Sequence, residues 1–183
     1  MQKKLAQIKE RLAQVQVDKI LWKRGERKSL TQPSAECTLV FLKPEATMRG
    51  LMGEIITRIE RKGFIISAVR LTQLTRKQAE KIYEIHKGKD FYEPLIEHVV
   101  SGPVLAMIIE GPNAVSSIRN MAGKTNPVEA QPGTIRGDYA LITRKNMIHA
   151  SDTLENANRE IEIFFKPNEI LRYKKPTESQ YLL

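Results

Sequence analysis

The chain has 183 residues, 41% of them hydrophobic, enough for one domain with its own core and a short appendage. Its single cysteine, Cys37, excludes an internal disulfide framework, and one cysteine with three histidines argues against a structural zinc cluster. The net charge is +9, with nine Lys/Arg against four Asp/Glu in residues 1–36 and 21 against 17 in the remainder, so the excess is concentrated at the N-terminus. Such a balance suits an anionic partner without choosing one. No apolar run reaches the ~20 residues of a membrane span. The first residues lack the apolar stretch of a signal peptide, and Glu10, Asp18, Glu26 and Glu36 are foreign to a transit peptide, so a cytoplasmic protein is expected.

In chain order, Leu5, Ile8, Leu12 and Val15 follow 3-4-3 spacing and predict a helix to about residue 22, too short to count as a coiled coil. The polar stretch Lys23–Glu36 reads as a linker, giving a basic N-terminal helix and linker over 1–36 and a domain over 37–183. Cys37–Leu42 is an apolar run suited to a buried strand. Leu51, Met52, Ile55, Ile56 and Ile59 mark one face of a helix that Gly63 ends. Phe64–Leu74 is a predicted strand, and Thr75 is a predicted N-cap for a helix over Arg76–His86. Another short helix is expected over Phe91–Val100, then a turn at Ser101-Gly102-Pro103 and a second buried strand at Val104–Ile109. Pro112 is placed as the first residue of a helix running to about Met121. Residues 123–139 are too rich in Gly, Pro, Thr and Asn for regular structure. Tyr139–Thr143 is a strand candidate, and Ser151-Asp152-Thr153 opens a helix through Phe165. The resulting order predicts an α/β sandwich of the ferredoxin-like type, a four-stranded antiparallel sheet covered by helices on one face.

Gly123-Lys124-Thr125 has the tail of a phosphate-binding P-loop, but Ile118 stands where that motif needs its first glycine, and the string neither follows a strand nor opens a helix. A nucleotide site here must therefore hold phosphates with side chains. The long loop offers candidates, because Arg119, Lys124, Thr125 and Arg136 lie within or beside it, and arginine grips phosphate oxygens with a planar fork. A solvated loop with scattered charge explains the same residues equally well. His149, between a predicted strand and a helix start, is expected at the sheet edge with its ring in a cleft. A histidine becomes a nucleophile when a neighbour holds one ring nitrogen, and Glu160, about two turns into the next helix, is the candidate neighbour. His86 and His98 are read as ordinary surface or satisfied buried histidines.

Residues 37–175 closely resemble the nucleoside diphosphate kinase family. The resemblance is carried by Leu42-Lys43-Pro44 with Arg49-Gly50, Ser101-Gly102-Pro103-Val104, Thr125-Asn126-Pro127, Pro132-Gly133-Thr134-Ile135-Arg136-Gly137-Asp138, and Asn146-x-x-His149-x-Ser151-Asp152. It implies a two-step exchange in which a nucleoside triphosphate gives its γ-phosphate to a histidine and a different diphosphate takes it away. His149 matches that histidine, Glu160 the carboxylate on its ring, and Ser151 the hydroxyl that helps hold the carboxylate. Lys43 and Asn146 match groups near the ribose 3′-hydroxyl and the phosphates, with Tyr83 close to the histidine. Arg119, Thr125 and Arg136 match side chains that clamp phosphates, and Phe91 matches the platform on which the base stacks, implying broad base specificity. Mg²⁺ arrives with the nucleotide phosphates, so no protein metal site is implied.

The resemblance also implies a homo-oligomer, usually a hexamer and sometimes a tetramer. It does not cover residues 1–36, which suit a helix packed on the core or a neighbouring subunit, or a basic tether to nucleic acid or an acidic membrane. The chain departs from the family pattern at Ala150 (usually Gly), Thr153 (usually Ser), Glu45-Ala46 (often Asp-Gly) and Lys89-Asp90-Phe91-Tyr92 (commonly Arg-Pro-Phe-Phe). A protein acceptor for the phosphate is compatible with the same first half-reaction.

Overall fold

A computed structural model describes residues 35–173, so the expected helix over residues 1–22 and most of the linker lie outside the described residues. Four strands form one antiparallel sheet: β1 (Ala35–Leu42), β2 (Ile65–Gln73), β3 (Pro103–Pro112) and β4 (Ile148–Ala150), in the order β2-β3-β1-β4. This is the spatial order of a ferredoxin-like sandwich. Strand β1 starts two residues earlier than predicted, because Ala35 and Glu36 pair with Pro112 and Gly111.

Seven helices accompany the sheet among the described residues: α1 (Pro44–Met48), α2 (Met52–Arg61), α3 (Arg76–Ile82), α4 (Tyr92–Val100), α5 (Ala114–Ala122), α6 (Ile135–Tyr139) and α7 (Leu154–Phe164). They cover both faces of the sheet, not one. Along β1, Val40 and Leu42 join Leu105, Met107 and Ile109 of β3 in a cluster with Ile55 and Ile59 of α2 and Ile118 of α5. The alternate residues Leu39, Phe41 and Ile108 are fully buried on the opposite face, where Phe41 meets Phe164 of α7 at 5.6 Å between ring centroids. Strands with two buried faces are uniformly apolar rather than alternating, which is why Cys37–Leu42 and Val104–Ile109 read as unbroken runs.

Local chemistry sets several boundaries. Thr75 and Gln78 form a reciprocal capping box at the start of α3, and Gly63 takes a left-handed φ of 100° after α2. The predicted helix to His86 stops sooner, at Ile82, and continues as a 3₁₀ turn over Glu84–His86. Pro112 is the last residue of β3 rather than the first of a helix: α5 begins after Asn113, whose φ is 49°. Tyr139–Thr143 is no strand, for Leu141 is 87% exposed and has no sheet face to bury, and the fourth strand is the three-residue β4. The loop over 123–139 is more regular than expected, holding a 3₁₀ turn at Pro127–Glu129 and all of α6. No helix among the described residues is long and apolar enough to cross a membrane.

Candidate active site

His149 sits in the middle of β4, an edge strand, directly opposite Phe41 of β1 in the ladder. Alternation along the strand buries Ile148 and Ala150 in the α2/α5 cluster and turns His149 to the α7 face. There its ring stacks on Phe41, with centroids 4.7 Å apart and planes 15° from parallel, and Tyr83 meets it edge-on at 5.6 Å.

Glu160 comes from α7, whose Thr153 hydroxyl caps the helix by accepting from the Asn156 backbone N–H. Ala157, Glu160, Ile161 and Phe164 share one buried stripe at 3-1-3 spacing, so the carboxylate is aimed at the sheet with the apolar side chains. Its Oε2 lies 2.8 Å from His149 Nε2 and accepts the Ser151 hydroxyl at 2.7 Å. Ser151 is itself anchored, its backbone N–H donating to the Leu39 carbonyl. With Nε2 donating to Glu160, the imidazole tautomer is set and Nδ1 is the nitrogen left to carry a lone pair.

A cavity of about 710 Å³ opens over this ring, within the range typical of small-molecule sites. Lys43, Tyr83, Phe91, Arg119, Thr125, Arg136, Asn146 and Glu160 all line it with His149, so the structure brings these predicted site residues to one place; Ser151 stands behind Glu160. Phe91 is 51% exposed at the mouth, with the Lys89 ammonium over its ring at 5.6 Å from the centroid. Lys43 Nζ donates to Asn146 Oδ1 at 2.7 Å, and the Asn146 amide donates in turn to the Thr125 carbonyl. Burial pushes the Lys43 ammonium down to about 8, against the pull of Glu45 and with the help of Arg136. Tyr83 shows the opposite response: burial, then the Glu160 and Glu45 carboxylates, push its phenol up, and its buried hydroxyl has no hydrogen-bond partner among the described residues. An unpaired buried O–H beside cations fits an incoming anionic oxygen.

Arg136 takes a different posture from the one its motif implied. Its guanidinium donates to the carbonyls of Gly123 (2.6 Å), Ile148 (2.8 Å) and Asn146 (3.3 Å), tying the loop to β4. Burial and then Arg119 push its pKa down to about 10, which leaves it charged at neutral pH. It therefore organises the wall as well as lending positive charge. Arg119 reaches the Ala150 carbonyl at 3.4 Å.

Several lining residues had no site role in the sequence reading, and His86, expected to be an ordinary surface or satisfied buried histidine, is one of them. His86 stands between Tyr83 and Phe91, with ring centroids 6.2 and 5.5 Å away, and burial and then Lys89 lower its pKa and favour the neutral ring. Its spacing of three from Tyr83 was the available signal. Thr143, Arg144 and Asp152 also line the cavity; Asp152 closes the string that holds His149, whereas only the fold brings Thr143 and Arg144 there. No group of three or more His, Cys, Asp or Glu suited to a metal ion occurs among the described residues.

Comparison with known proteins gives a consistent answer. Residues 36–170 match the family model described as nucleoside diphosphate kinase. The chain is 53% identical over 146 residues to a nucleoside diphosphate kinase of Kosmotoga olearia, covering 80% of this chain and 99% of the relative. It is 58% identical over 135 residues to that of Methanocaldococcus jannaschii, covering 74% and 96%. Among solved structures, a nucleoside diphosphate kinase from Halobacterium salinarum in complex with CDP superposes with a TM-score of 0.78 at 38% identity, over 80% of this chain and 98% of that one.

Proposed function

The chain belongs to the nucleoside diphosphate kinase family and transfers the γ-phosphate of a nucleoside triphosphate to a nucleoside diphosphate; we propose that it does so by two displacements at His149. In the first, the Nδ1 lone pair attacks the γ-phosphorus of MgATP, a P–N bond forms, the P–O bond to the β-phosphate breaks, and ADP departs with the electron pair. The ring keeps its Nε2 proton, and the positive charge that develops on it is met by Glu160, which Ser151 holds in place. In the second, a terminal oxygen of another diphosphate attacks the same phosphorus and the P–N bond breaks. Phosphoryl transfer of this kind needs positioning and charge stabilisation more than covalent help. Lys43, Arg119 and Arg136 supply positive charge, Thr125 and Tyr83 supply hydroxyls, and Asn146 reaches the ribose side of the phosphates. Mg²⁺ enters as part of the nucleotide substrate, where it neutralises phosphate charge. Of the two carboxylates lining the cavity, Glu160 is already committed to His149 and Ser151 and Asp152 accepts the Asn156 amide, which fits a metal carried by the phosphates.

The observation that carries this reading is the imidazole held through Nε2 in a cation-lined cavity. Stacking on Phe91 supports a broad choice of base, since every base offers a π-face. We further read the protein as a cytoplasmic homo-oligomer, a hexamer or a tetramer, with residues 1–36 as a basic segment ahead of the catalytic domain. Support comes from β2, an edge of the sheet, where Val69 and Leu71 are each 58% exposed. The test is transfer itself: purified chain with MgATP and GDP or CDP must yield the corresponding triphosphate, and His149→Ala must abolish the yield.

A further inference from the structure

Met147 stands between Asn146 and β4 in a left-handed conformation, φ 69°, that non-glycine residues adopt only where the surroundings enforce it. Two contacts from one short segment brace it here, beside the turn's own bond from the Ile148 N–H to the Asn146 carbonyl at 2.8 Å. The Met147 carbonyl accepts the Lys43 backbone N–H at 2.8 Å, and the Met147 N–H donates to Glu45 Oε1, also at 2.8 Å. Glu45 lies one residue inside α1, only 8% exposed, and its second oxygen is occupied by His98 Nε2 of α4 at 2.7 Å. Each carboxylate oxygen therefore has a fixed partner on another segment, and the rotamer is held from both sides.

The strained residue is flanked by machinery. Asn146, immediately before it, bonds Lys43 Nζ, the Thr125 carbonyl and, through its own carbonyl, Arg136; His149 follows two residues after it. A backbone that relaxed out of the left-handed region at Met147 would redirect the Asn146 side chain and change the entry of β4. We propose that Glu45, seated by His98, is a positioning residue for the transfer reaction: by fixing the Met147 turn it holds Asn146 and Lys43 at the ribose and phosphate side of the nucleotide. This rests on the kinase reading above for the part Asn146 plays toward substrate. It also gives meaning to one departure from the family pattern. With Glu at position 45 in place of Asp, the longer side chain reaches the Met147 N–H on one side and a histidine from α4 on the other.

A role through Asn146 predicts a signature that mere loss of stability does not produce. In the full-length chain, the ratio of kcat/KM for ATP to that for 3′-deoxy-ATP reports on the ribose contact. Asn146→Ala should collapse this ratio. Glu45→Met, which leaves the buried Met147 N–H unpaired, should lower it about tenfold, as expected for one lost buried hydrogen bond. Adding Glu45→Met to Asn146→Ala should lower it no further. Glu45→Gln keeps an oxygen acceptor for Met147 and, once His98 takes the tautomer whose Nε2 accepts, an amide donor toward it, and should hold the ratio within about threefold of the unsubstituted protein, since less than 1 kcal/mol is then lost. Amide exchange at Met147, which needs no activity, should be slow in the unsubstituted and Glu45→Gln proteins and fast in Glu45→Met. The proposal is overturned if Glu45→Met leaves the ratio unchanged while Asn146→Ala collapses it, or if Met147 exchange is equally slow in Glu45→Met. Absence of transfer with any nucleotide refutes the kinase reading instead, and the exchange measurement then still decides whether Glu45 fixes the turn.

Discussion

Nucleotide binding should draw a proton onto Lys43. In the free protein burial holds this ammonium at about 8, against an ordinary value of 10.5. Phosphate oxygens arriving in the cavity favour the charged form and return the value toward the ordinary one. At pH 8 the free side chain is then half protonated and the bound one almost fully so, an uptake of roughly half a proton per nucleotide. Affinity for ADP should accordingly weaken as pH rises above 8, by up to about tenfold per unit until the bound lysine titrates. Other groups contribute little at this pH: Arg136, pushed down to about 10, is still almost wholly charged, and His86 is held below its ordinary value and so is neutral. Calorimetric titration of the protein with ADP at pH 8, in two buffers of different ionisation enthalpy, measures the uptake directly. Lys43→Arg keeps a cation that does not titrate near pH 8, so the uptake should vanish in that variant. Zero uptake in the unsubstituted protein, or the same uptake in Lys43→Arg, would mean that Lys43 is not the group that takes up the proton.

Phe91→Ala should raise KM about 10-fold or more, and by similar factors for ATP, GTP and CTP, because ~1–3 kcal/mol of stacking is lost whatever the base; a selective loss for one base would mean that the edge is read instead. Glu160→Gln should slow phosphorylation of His149 by roughly 100-fold, since an amide can no longer balance the charge on the ring, with Ser151→Ala slowing it less; single-turnover labelling with ATP measures both. Stability should show the Glu45 carboxylate as well. Burial raises its pKa, but the hydrogen bond from His98, then the backbone N–H of Glu45 itself and of Met147, and finally the charge of His98, bring it below the ordinary 4.5. A folded-state value below the unfolded one gives stability that is complete above about pH 4.5 and lost as pH falls through the lowered value. Melting of the unsubstituted protein and Glu45→Gln should therefore differ at pH 6 and converge at lower pH, and an unchanging gap would contradict the assignment.

Much of this site was legible in the chain because its parts are local strings: Asn146, His149 and Ser151 fall within six residues, and Arg136 sits in its own loop motif. The central strands were legible too, as apolar runs buried on both faces. What failed was whatever the sheet decides. Strand β4 is three residues long and offers no alternation to read, whereas Tyr139–Thr143 has strand-forming residues but pairs with no strand of the sheet, its one bridge being Ile142 with Lys145. Pro112 suits the first turn of a helix, yet pairing with Ala35 at the end of the ladder carries β3 through it. Glu45 and His98 were invisible as a pair because 53 residues separate them, and only the packing of α4 against α1 joins them. Arg136 was found by its motif, but its three carbonyl partners lie on segments that meet only in the fold.

Labelling tests most directly whether His149 carries the phosphate. Incubation with MgATP labelled at the γ-position should give one acid-labile, base-stable label per chain, located by peptide mapping at His149, absent from His149→Ala, and discharged by GDP or CDP to the labelled triphosphate. A label that is acid-stable, that persists in His149→Ala, or that no nucleoside diphosphate removes would contradict the account.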